Sequence, residues 1–140
     1  MKDTLGNQLV WFQKEAMKEI EKQVSVASRE AAEILKKQVR ANLQKGGDFP
    51  KARRGESGLL GTVKVMKSKY RDEMHMVGVF DDGGGEWEKT MGAQAVFVEF
   101  GHAKPGDKGG PKHVPAKPFF RPAIKTAKKK IYNKFRDGVK

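Results

Sequence analysis

Ala93-Gln94-Ala95-Val96-Phe97-Val98-Glu99-Phe100-Gly101 is the stretch on which the fold turns. It is an apolar run holding one carboxylate and stopped by a glycine. Its length suits either a third strand or a short buried helix. Val96, Phe97, Val98 and Phe100 favour the strand by intrinsic propensity, so we read 93–100 as strand. A Gly- and Lys-rich segment follows. Then Val114-Pro115-Ala116-Lys117-Pro118-Phe119-Phe120-Arg121-Pro122-Ala123-Ile124 leads into a basic helix.

Working upstream, Met74-His75-Met76-Val77-Gly78-Val79-Phe80 and Thr62-Val63-Lys64-Val65-Met66-Lys67 read as two strands. The second alternates, with Val63 and Val65 on its buried face. Residues 68–73 make a plausible hairpin connection, and Asp81-Asp82-Gly83-Gly84-Gly85 is a turn-rich break. Residues 46–58 form a Gly-rich loop in which Lys51, Arg53 and Arg54 are candidate contacts for DNA or a partner subunit; the alternative is a solvated connection. Before it, Leu9, Phe12, Ala16, Ile20, Ala27, Ala31, Ile34, Val39 and Leu43 recur at steps of mostly three or four. One helix from about Leu5 to Gln44 is expected, ending at Gly46-Gly47. Gln23-Val24-Ser25-Val26 is its weakest patch. Forty residues at ~1.5 Å each would reach ~60 Å, more than so small a domain needs. Part of the helix should therefore project or pack on another subunit.

Downstream, residues 101–118 contain too many Gly, Pro and Lys to bury a core. They are expected to be an exposed loop or arm, with Lys104, Lys108 and Lys112 as further candidate contacts. Pro118 and Pro122 suit the start of a helix over 119–136, where a missing N–H costs little. Phe120, Ile124, Ala127, Ile131 and Phe135 share one face of it. The expected fold class is α+β: a long N-terminal helix, a small antiparallel sheet of three to four strands within 59–100, and a C-terminal helix, all in one domain.

The 140 residues are 37% hydrophobic and 33% charged, polar for a compact monomer. No cysteine is present, which excludes disulfides and thiolate metal sites. No apolar run approaches the ~18 residues of a membrane span, and the first residues lack the apolar block of a signal peptide. Folding in a cytoplasm is the expectation. The net charge is +12, and it is unevenly placed. Residues 1–58 carry 12 basic and 8 acidic groups, 59–100 carry 5 and 7, and 101–140 carry 12 and 2. Such a C-terminal block can meet phosphate, an acidic protein ring, or only solvent.

The phrases Val98-Glu99-Phe100-Gly101 and Pro115-Ala116-Lys117-Pro118-Phe119-Phe120-Arg121-Pro122-Ala123 together resemble the Hong Kong 97-type family of head–tail joining, or tail-completion, proteins of tailed bacteriophages. That family carries a phrase like "VEFG", a variable loop, then "PAxPFxRPA" before its last helix. The resemblance implies a small sheet flanked by helices and a structural virion protein, not an enzyme. It implies a homo-oligomeric ring, usually a hexamer, at the neck or top of the tail. Its implied partners are the connector or adaptor protein, the tail terminator or tail tube protein, and phage DNA held without sequence preference in the lumen. It implies no cofactor, metal or membrane. Val98, Glu99, Phe100, Gly101, Pro118, Phe119, Arg121 and Pro122 would be its interface or structural motif.

Catalytic chemistry finds little support. His75, His102 and His113 are scattered, and no acid–histidine cluster has zinc-like spacing. Glu99 with His102 could be drawn as an acid–base pair, but a carboxylate just before Phe100-Gly101 more often holds structure. Interrupting an apolar run, Glu99 should be half buried, with Arg121 as its candidate bidentate partner. The alternative leaves it in water on an edge strand. A helix-turn-helix or zinc-finger pattern is absent, as is a basic stretch interleaved with aromatics. The rival function is a small basic protein that binds nucleic acid without sequence preference.

Overall fold

The computed structural model describes residues 4–45, 58–80, 91–103 and 113–139. Helix α1, Thr4–Lys45, runs 42 residues, or ~63 Å. No Gly or Pro interrupts it after Gly6, and it stays helical through Gln23–Val26. Gln23 Nε2 donates to Glu19 Oε1 at 3.2 Å, and Lys36 Nζ meets Glu33 Oε2 at 3.3 Å in a half-buried pair.

A single turn, α2 (Leu59–Thr62), leads into strand β1 (Val63–Lys67), which pairs antiparallel with β2 (His75–Val79). The register sets Val63 opposite Val79 and Val65 opposite Val77 on the face turned inward; Met66 opposite Met76 lies on the outer face. Ser68 organises the connection. Its N–H donates to the Met74 carbonyl at 2.8 Å, and its Oγ accepts from Tyr70 N–H at 3.1 Å. The ribbon is tied to α1 where His75 N–H donates to Ser28 Oγ at 3.0 Å.

Helix α3 (Met91–Phe100) and helix α4 (Phe120–Gly138) are separated by two short antiparallel rungs, β3 (His102–Ala103) and β4 (His113–Val114). α4 lies antiparallel along the second half of α1. Asn42 Nδ2 donates to the Phe119 carbonyl at 3.0 Å near one end, and Lys134 Nζ meets Glu30 Oε2 at 3.0 Å towards the other. Ala27 and Ala31 of α1 and Ala123 and Ala127 of α4 are buried. These short side chains let the backbones approach closely; a Cβ on Gly138 would sit 3.1 Å from that of Ala27. The core gathers Val39, Leu43, Leu59, Leu60, Val63, Ala95, Phe119 and Ala123 where α1, α2, β1, α3 and α4 converge.

Three expectations need correction. Residues 93–100 form a helix, not a strand. Ala93 and Ala95, which have no preference for strand, are both buried, at 0% and 8% exposure. Gly101, at φ 76°, then ends it with a left-handed residue whose N–H returns to the Phe97 carbonyl at 2.8 Å. The glycine thus acts as a helix stop. Secondly, losing this strand leaves no sheet of three to four strands among the described residues, only two separate two-stranded ladders. Thirdly, 101–118 is not wholly a loose arm. Its two ends pair as β3 and β4, and Lys117 N–H donates to the Val98 carbonyl at 2.8 Å.

Candidate functional site

The two phrases singled out in the sequence meet in space. Pro118-Phe119-Phe120 begins α4 with no Ser, Thr, Asp or Asn to cap it, and the first turn holds no acid. A helix start exposes N–H groups that need acceptors. Glu99, in the last turn of α3, supplies them. Its Oε2 accepts from the N–H groups of Phe119 at 2.8 Å and Phe120 at 2.9 Å. Its Oε1 accepts from Arg121 N–H at 3.1 Å and Arg121 Nε at 2.9 Å. Arg121 also lays its guanidinium 4.8 Å over the Phe100 ring.

Glu99 is only 6% exposed. Burial alone raises its pKa. The N–H groups of Phe120, Phe119 and Arg121, and the Arg121 side chain, outweigh that and hold the carboxyl below its ordinary value. A carboxylate offers about four acceptor positions, and four N–H groups fill them. Saturated and ionised, Glu99 is poorly placed to shuttle a proton. Its arrangement is a clasp that joins α3 to α4.

Gly101 belongs to the same clasp. A Cβ there would come within 2.7 Å of the Val114 carbonyl oxygen and 2.9 Å of the Ala116 nitrogen. The chain after β4 passes that closely, and only glycine leaves room. Val98 holds this passing segment through its carbonyl. Phe119 is buried, its ring set edge-to-face against Phe120 with 6.2 Å between centroids. Pro118 is exposed, and Pro122 is half buried in the first turn of α4, where its missing N–H leaves no bond unmade. The motif residues are therefore gathered together. The sequence pointed to Arg121 as a bidentate partner of a half-buried Glu99; Glu99 is instead buried, Arg121 reaches its carboxylate through Nε alone, and the three backbone donors were missed. The uncapped Pro118-Phe119-Phe120 start was the signal.

Beside the clasp opens a groove of about 350 Å³, lined by Val79, Ala95, Val96, Phe100, Phe119 and Phe120, with Glu99 and Arg121 at its edge. Val96 and Phe100 are 45% and 59% exposed there. Elsewhere, His75 Nδ1 lies 3.3 Å from Ser28 Oγ, and His113 is exposed. Among the described residues no group of three His, Cys, Asp or Glu could hold a metal, and no helix is long and apolar enough to cross a membrane. The candidate contacts Lys51, Arg53, Arg54, Lys104, Lys108 and Lys112 lie outside the described residues.

One face of α4 is strongly basic. Lys125, Lys128, Lys129, Tyr132 and Arg136 are exposed and fall on one side at helical spacing. Lys128, Lys129 and Lys130 are consecutive and cannot all point the same way on a helix. Lys130 does turn away, lining a groove with Glu30 and Asp137, while Lys128 and Lys129 share the outer side. Comparison with protein-family models, with curated proteins and with solved structures finds no match for this chain.

Proposed function

We propose that this protein is a non-enzymatic structural subunit of a homo-oligomeric ring at the head–tail junction of a tailed phage. In this reading it joins the tail tube to the connector around the DNA passage. The resemblance of the two clasp phrases to the head–tail joining family motivates the choice of setting. The observation that carries an assembly role is the first half of α1. From Val10 to Lys22 every residue is exposed. Trp11, Phe12, Met17 and Ile20 stand 54%, 61%, 55% and 43% in solvent. So many large apolar side chains along one stretch of helix mark a surface that another protein covers.

Native mass measurement and sedimentation of the purified protein test the reading. A closed oligomer of fixed copy number, and its presence at the portal-to-tail junction in images of virions, is the expected result. A monomer at all concentrations, absent from that junction, would overturn it.

The basic outer face of α4 favours a second reading, a small protein that binds nucleic acid without sequence preference. Binding of duplex DNA by the isolated protein separates the two. Each phosphate neutralised adds about 0.9 to the slope of log affinity against log salt. A monomer with tight binding and a slope of several units supports the second reading. A defined oligomer with weak binding supports the first.

A further inference from the structure

The apolar stripe on the first half of α1 and the groove beside the clasp lie at opposite ends of one molecule. Val10, Met17, Val24 and Ala31 follow one another at seven-residue steps, so they fall on nearly one line of the helix. Exposure drops along that line: Val10 50%, Met17 55%, Val24 half buried, Ala31 5%. The neighbouring pair Ile20 and Ala27 drops from 43% to 2%. The change comes where α4 ends against Ala27. The stripe is thus the continuation of the α1–α4 interface past the end of α4.

The groove sits at the other end of α4, where Asn42 of α1 meets the Phe119 carbonyl. Along α1 the distance from Ile20 to Asn42 is ~33 Å, and from Val10 ~48 Å. A continuous α-helix cannot fold back over that span to fill its own groove. Two unlike apolar surfaces on one chain, out of mutual reach, are what a head-to-tail contact between copies requires.

We propose that the N-terminal half of α1 from one copy docks its Val10–Met17–Ile20 stripe into the Val96–Phe100–Phe120 groove of the next copy. The occupant is a second copy of this chain. The proposal deepens the ring reading and rests on it for closure, because a head-to-tail contact closes into a ring or runs on as a filament. Lys14 and Glu21 border the stripe with opposite charges, so the contact with the groove is made by apolar burial and not by charge.

The chain contains no cysteine, so introduced thiols are unique. Met17→Cys and Val96→Cys fall at exposed positions and should leave the fold intact. The two single variants are mixed and treated with a short bis-maleimide linker, then separated under denaturing conditions. The expected product is a cross-linked pair formed in the mixture at least tenfold more than in either variant alone. The double variant should give a ladder rising to the copy number of the native particle. Adding Ile20→Lys, with helix content checked by circular dichroism, should cut the yield at least tenfold.

Efficient cross-linking of Met17→Cys alone would show arms pairing with arms and overturn the proposal. So would a double variant that closes on itself as a monomer, or a defined oligomer with no cross-link. A cross-linked ladder from a particle absent from virions would leave the contact standing and remove the phage setting instead.

Discussion

Replacing Glu99 by glutamine keeps the shape of the clasp and removes its charge. The glutamine oxygen can still accept two of the four N–H groups that reach Glu99. Its amide nitrogen must then face the other two. The less costly orientation keeps the bonds to Phe119 and Phe120 and turns the amide towards Arg121, whose backbone N–H loses its acceptor while its side chain, 60% exposed, can swing into water. Two hydrogen bonds to a charged group are lost, at about 1.5–3 kcal/mol each before relaxation. Solvation of the freed guanidinium returns part of this, so the expected cost of Glu99→Gln is about 2–4 kcal/mol. Arg121→Ala should cost less, about 1 kcal/mol, because three backbone donors still hold the carboxylate and the lost contact is solvent-screened.

Urea denaturation followed by circular dichroism measures both. For a chain near this length each kcal/mol also moves the melting temperature by about 2–4 °C. The sign of the pH dependence follows from the lowered pKa of Glu99. Its contribution is complete above the ordinary value of 4.5 and is lost as pH falls through the depressed folded-state value. The gap between wild type and Glu99→Gln should therefore be widest near neutrality and narrow in acid. Equal costs for the two variants, or a gap that widens in acid, would show that the ion pair and not the helix start is the main partner of Glu99.

Two further variants probe the same junction. Gly101→Ala combines a left-handed backbone with a 2.7 Å approach to the Val114 carbonyl; a loss of about 2–4 kcal/mol in chemical denaturation is expected. Asn42→Ala removes the donor to the Phe119 carbonyl and should cost about 1 kcal/mol. Because Phe119 also donates to Glu99, its effect should be non-additive with Glu99→Gln in a double-mutant cycle.

The elements legible in the sequence were those with an unambiguous period. Leu9 to Leu43 recurs at steps of mostly three or four, and α1 spans the expected range within one residue at each end. Val63 and Val65 alternate with Lys64 and Met66, and the β1–β2 ribbon pairs them as the alternation requires. Pro118 and Pro122 located the start of α4 to within one residue. Residues 93–100 failed because the stretch is apolar on nearly every side and so carries no period. Propensity then decided, and it is a weak term beside packing. What won was tertiary: Ala93 and Ala95 fit against the core, and a helix is the form that brings Glu99 to the uncapped start of α4. Gly101 after Phe100 carried the helix-stop signal that propensity overrode.

The clasp and the groove share residues, so under the proposed head-to-tail contact one substitution can separate folding from assembly. Phe100 lies under Arg121 yet is 59% exposed, so in the free chain it is only partly withdrawn from water. Phe100→Ala should therefore cost the isolated fold about 1 kcal/mol or less. At the groove the same ring forms part of the apolar wall, and covering what is still exposed is worth about 1–2 kcal/mol per contact. That is roughly 5- to 30-fold in the affinity of each copy for the next. Sedimentation across a dilution series should then show dissociation at higher protein concentration than wild type, with the melting temperature of the dissociated chain nearly unchanged. Glu99→Gln should show the opposite balance, a large loss of fold stability with association weakened only as far as the groove loosens. If Phe100→Ala unfolds the chain or leaves association untouched, the ring belongs to the core alone and the groove is not where copies meet.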